Sequence, residues 1–173
     1  MSYFAAALAR RGGDWAGTEI DLADAEDLDG VVDVLRVAVG EDVDSTLLLF
    51  EENDEWFAIV RVDDDSDPRV FVSDGRVVET SAIGAILGEA AAVQDDDEDD
   101  EDDGDEDDDE DDSDDDARAA GDPIGDADVL ADLGTPADRL LKLCAEEGQL
   151  PADILSAVCE TAGCLEALEQ LRG

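Results

Sequence analysis

The chain has 173 residues, of which 53 are Asp or Glu, 10 are Lys or Arg and none is histidine, giving a net charge of −43. Such a charge disfavours unaided nucleic-acid binding, whose affinity comes largely from cationic side chains that release phosphate counterions. The missing imidazole removes Ser-His-Asp and Cys-His nucleophile pairs, histidine metal sites and the commonest acid/base group near neutral pH.

Residues 2–10 are apolar up to the charged pair Arg10-Arg11 and are followed by Gly12-Gly13-Asp14, which predicts a strand running into a turn. Residues 15–22 can return as the hairpin partner. From Asp24 the pattern changes, with Leu28, Val31, Val32, Leu35 and Val39 at helical spacing. Asp24, Glu26 and Asp27 lie where a helix N-terminus prefers negative charge, and Gly40 closes the segment. Three apolar runs, 46–50, 56–62 and 69–73, are separated by acidic and turn-forming residues and predict an antiparallel meander. A second helix is expected over 77–93, weakened by Gly84 and Gly88. The order predicts an α+β domain over 1–94, an N-terminal antiparallel sheet with two helices on one face.

Residues 95–116 are acidic at 20 of 22 positions, interrupted only by Gly104 and Ser113, and without them the net charge falls to −23. A block with nothing to bury cannot offset its ordering entropy, so 95–120 is expected to be a disordered acidic linker. Beyond it, 121–173 predicts a small C-terminal helical bundle. Thr135 is placed to cap a helix with Pro136 at its first position, through Leu140, Leu141 and Leu143 to Gly148. Leu150-Pro151 opens a second helix through Ile154, Leu155 and Val158, and Gly163 separates it from a third through Leu165, Leu168 and Leu171. About 50 residues make a small independent core, so this region is expected to dock on the first domain or on a partner.

Neither a Walker A loop nor a GxGxxG turn is present. Cys144, Cys159 and Cys164 read as reduced thiols packed in the helical region. The alternative, a mixed thiolate and carboxylate zinc site drawing on Glu160 or Glu166, lacks the usual paired ligands. The loop 63–67 crowds carboxylates but lacks the spacing of a calcium-binding hand, and reads as a solvated turn. No catalytic residue, cofactor or metal is expected. Trp15 and Trp56 are core candidates whose functional alternative is an exposed protein-binding anchor. Arg36, Arg61, Arg69 and Arg76 could cluster around an anionic ligand in an uncharacterised ligand-binding protein or cryptic enzyme, whereas the plain alternative is ion pairing with nearby carboxylates. No apolar run approaches the roughly 20 residues that span a bilayer, and Met1-Ser2-Tyr3-Phe4 does not open like a signal peptide, so a cytoplasmic location is expected.

Tyr3-Phe4-Ala5-Ala6-Ala7, the turn Gly13-Asp14-Trp15, the helix from Asp27-Leu28 to Leu35-Arg36 and the strand Asp54-Glu55-Trp56-Phe57-Ala58-Ile59-Val60-Arg61 together resemble the tRNA adenosine deaminase-associated proteins of actinobacteria. The likeness continues in Gly121-Asp122-Pro123-Ile124-Gly125-Asp126, in Leu133-Gly134-Thr135-Pro136 and from Leu140 to Gln149. These are packing and turn patterns. The resemblance implies a connection with the enzyme that converts wobble adenosine to inosine, and carries over no catalytic residue. The localised negative charge adds the expectation of a non-enzymatic accessory protein whose partner is that deaminase or another basic protein. The zinc deaminases themselves need H-x-E and P-C-x-x-C elements, and neither occurs in this sequence.

Overall fold

In the computed structural model, which describes residues 3–63, 67–96 and 122–172, the expected meander grows into a six-stranded, wholly antiparallel sheet. Its strands are β1 (Tyr3–Arg11), β2 (Asp14–Glu19), β3 (Ser45–Glu52), β4 (Trp56–Asp63), β5 (Arg69–Val72) and β6 (Ile124–Gly125), in the order β2-β1-β3-β4-β5-β6. Helix α1 (Leu28–Val39) starts where Asp27 accepts the Gly30 N–H at 2.8 Å, an N-cap that satisfies one of the free amides of the first turn. Most of the expected acidic linker lies outside the described residues, as do Asp64, Asp65 and Ser66 of the acidic loop.

The single helix expected over 77–93 is two: α2 (Val77–Thr80) and α3 (Ala82–Asp96). Ser81 sits between them in an extended conformation, and its hydroxyl accepts the Gly84 N–H at 3.1 Å, which starts the second helix. A Cβ on Gly84 would lie 2.4 Å from the Val77 carbonyl oxygen. The glycine that weakens one long helix therefore allows α2 to fold back against α3.

Strand alternation divides the core into two layers. Ala5, Ala7, Leu48, Phe50, Ala58 and Val60 face α1, α2 and α3, where they meet Val31, Val32, Leu35, Leu87 and Ala91. Leu8, Leu47, Leu49, Phe57, Ile59 and Phe71 face the opposite way. Covering both faces explains why β3 and β4 read as continuous apolar runs instead of alternating ones.

The second face is covered by the C-terminal segment: a 3-10 helix (Ala127–Leu133), α4 (Ala137–Ala145), α5 (Pro151–Ala162) and α6 (Leu165–Arg172). Leu130, Leu155, Val158 and Leu168 are almost fully buried against the sheet. Each such aliphatic side chain contributes about 1.5–3 kcal/mol of burial. The expected Thr135 cap is not made. Pro136 is the extended residue before α4, while Thr135 is buried and gives its N–H to the Leu130 carbonyl. Strand β6, which had no local signature, pairs Ile124 with Val72 and Gly125 with Phe71 and so adds the chain beyond the acidic block to the sheet edge.

Candidate functional site

Arg61 and Arg69 are cross-strand partners on β4 and β5, an arrangement that would repel without compensation. Carboxylates supply that compensation. The Arg61 side chain is only 8% exposed. Its Nε donates to Asp63 at 2.9 Å, one terminal nitrogen to the Val129 carbonyl at 3.1 Å, and both terminal nitrogens to Asp132, the second at 2.8 Å. The hydrogen bonds that Arg61 donates to Asp132 raise the Arg61 pKa above its ordinary value despite burial and lower that of Asp132. Arg69 donates to Asp126 at 2.5 Å.

A third ion pair closes the end of the chain. Arg172 donates to Glu51 at 2.8 Å and lies 5.1 Å from the centre of the Phe4 ring. Burial raises the Glu51 pKa in spite of this partner. All three pairs join the sheet to the segment beyond the acidic block. Their guanidinium groups act as interlocks rather than as an open anion site.

The other predicted cations lie elsewhere. Arg76 is 66% exposed, makes a two-pronged contact with Asp74 and lines a cleft of 340 Å³ beside Trp56 and Glu52. Arg36 is exposed and lines a cleft of 510 Å³ with Val37, Thr46, Val62 and Asp63. Of the four candidate arginines, the fold brings only Arg61 and Arg69 together.

Trp56 is buried against Phe50, and its indole N–H is taken by Glu52 at 3.0 Å, so it presents no anchor at the surface. Trp15 is half-buried at the edge of the second core layer, with the Arg10 guanidinium 6.0 Å from its ring.

Cys159 and Cys164 are buried and Cys144 partly so, all three as free thiols. Gly163, in the left-handed region, ends α5 so that the Cys164 N–H reaches the Cys159 carbonyl at 2.9 Å. This cap geometry brings the side chains on either side of the glycine together inside the core. The hydrogen bond with Cys164, followed by burial, raises the Cys159 pKa; burial pushes Cys144 up to about 12. Among the described residues no group of three His, Cys, Asp or Glu is placed to hold a metal ion, and no helix is long and apolar enough to cross a membrane.

One surface feature was not singled out by sequence reasoning. Between the start of α1 and the outer side of α3 lies an open cleft of 500 Å³, floored by Leu28, Ile86 and Val93 and rimmed by Glu26, Asp67 and Glu89. Its signal was available in composition: from Ala82 to Val93, α3 has a single charged residue, Glu89. A helix apolar around most of its circumference is ordinarily covered on all sides. Here the sheet covers one side and α2 another, and the side bearing Ile86 and Val93 faces the cleft.

Compared with known proteins, residues 3–165 match the family model described as Rv3753c-like tRNA adenosine deaminase-associated protein. No curated protein and no solved structure matches the chain.

Proposed function

The chain belongs to the Rv3753c-like tRNA adenosine deaminase-associated protein family, and from that membership we propose that it is a non-enzymatic accessory protein of a tRNA adenosine deaminase. It would act in the cytoplasm, bound to the enzyme or to a closely related basic RNA-processing protein. The observation that carries this reading is the disposition of its charge. The paired arginines Arg61, Arg69 and Arg172 neutralise carboxylates within the fold, while the chain as a whole keeps a charge of −43.

An enzyme that handles tRNA needs a cationic surface to hold phosphates. A strongly acidic partner complements that surface, speeds encounter and loses attraction as salt rises. The acidic residues 95–116 supply nearly half of the net charge and are the natural source of this attraction. An anion-binding role at Arg61 and Arg69 would instead call for guanidinium groups left available to a ligand. The internal neutralisation of Arg61 and Arg69 favours the accessory role.

The test is retention of the deaminase by the tagged full-length protein at low and moderate salt, alongside a variant lacking 95–116. Retention that weakens with salt and with the deletion is expected. Absence of the deaminase at both salt concentrations would overturn the proposal.

A further inference from the structure

The cleft between α1 and α3 carries two chemistries in one place. Ile86 and Val93, two helical turns apart on the same face of α3, form with Leu28 an apolar floor, and Val93 is 64% exposed. Glu26, Asp67 and Glu89 surround that floor with negative charge, and all three are exposed. Burying the floor is favourable for any apolar partner, but the rim selects for positive charge beside it.

We propose that this cleft is a docking groove for a basic amphipathic segment of the partner protein: a helix whose apolar side chains, three or four positions apart, enter the groove while flanking Arg or Lys residues meet the rim. Helix-in-groove binding uses this pairing of an apolar stripe with charged edges. The chain's own acidic residues 95–116 would bring like charge to the rim, and a second copy would oppose one acidic rim with another. A basic partner segment removes both repulsions. The inference deepens the accessory role and rests on it for the partner's identity.

The experiment is a methyl NMR titration of the full-length protein with a synthetic helical peptide bearing a leucine stripe flanked by arginines. Two control peptides replace the arginines with glutamate or the leucines with serine. The expected result is selective shifts of the Leu28, Ile86 and Val93 methyl groups with the arginine-leucine peptide alone. Affinity should fall at least tenfold in Asp67→Lys/Glu89→Lys and severalfold in Val93→Ser, whose exposed position spares the fold. Equal binding by the serine peptide, or unchanged affinity in the variants, would show diffuse attraction to the acidic residues and overturn the groove. Self-association abolished by Val93→Ser would overturn it in favour of a second copy as occupant. Co-purification separates this from the broader reading. Deaminase retained equally by the wild type and by Asp67→Lys/Glu89→Lys would overturn the groove and leave the accessory role standing. Selective peptide binding with no deaminase retained by the wild type would sustain the groove and overturn the accessory role.

Discussion

Arg61 on β4 and Asp132 on the 3-10 helix, 71 positions apart, form a two-pronged ion pair in which the guanidinium is buried and the carboxylate remains 61% exposed. The pair is asymmetric: removing the carboxylate leaves a buried cation with Asp63 as its remaining charged partner, whereas the carboxylate itself retains access to water.

Asp132→Asn should therefore destabilise the fold by about 1–3 kcal/mol, the scale of a charged hydrogen bond lost at a partly buried site. Urea unfolding should show a lower midpoint with an unchanged slope. The Asp132 pKa is lowered in the folded state, so its contribution is present above the ordinary value of 3.8 and is lost as pH falls through the lower, folded value. The asparagine variant should lack that part of the acid-induced loss.

Glu51 titrates with the opposite sign. Burial raises its folded pKa above 4.5, so its contribution to stability is present below that value and is lost as pH rises through the folded one. Arg172→Met removes the cation that opposes this shift. Carboxyl NMR should show the Glu51 midpoint moving further upward, and urea unfolding near neutral pH should show a loss of roughly 1–3 kcal/mol.

Gly125→Ala tests the junction between the chain beyond the acidic block and the sheet. The new Cβ would lie 2.2 Å from the Val70 carbonyl oxygen and 2.8 Å from the Ala91 side chain, at a φ of 98° that disfavours alanine. The expected loss is about 1–3 kcal/mol or more. Hydrogen exchange should speed up at the Asp126 amide, which bonds the Val70 carbonyl at 2.9 Å, before it does in β3.

The thiols should be slow to react in the native protein. Cys144 is pushed up to about 12 by burial, and Cys159 and Cys164 are each 1% exposed. Iodoacetamide at pH 8 should label all three quickly in urea and slowly without it, because burial withholds Cys159 and Cys164 from the reagent and keeps Cys144 out of its reactive thiolate form. Rapid native labelling of Cys159 would contradict its packing in the core.

Local pattern was enough for much of the fold. The five strands before the acidic block and α1 were legible because each carries its own apolar spacing and turn residues, and the belt of acidic residues was plain in composition. The break at Ser81 was less so, since a serine after Glu79-Thr80 signals a cap only once α2 has a surface to fold against. Strand β6 was invisible: two residues, Ile124 and Gly125, have no period, and only the open edge of β5 makes them a strand.

The candidate site divides in the same way. Composition alone gave the negative charge, the missing histidine and the scarcity of cations, and therefore the kind of partner the chain can attract. It could not pair the arginines, because 53 acidic side chains offered too many partners for each. Tertiary structure decided that Arg61 meets Asp132 and Arg172 meets Glu51, and that Trp56 turns inward. It also decided which side of α3 faces solvent. The reason is that sequence spacing fixes which residues share a face of an element, whereas exposure and pairing depend on what packs against that face, and here the covering segment arrives from beyond the acidic block.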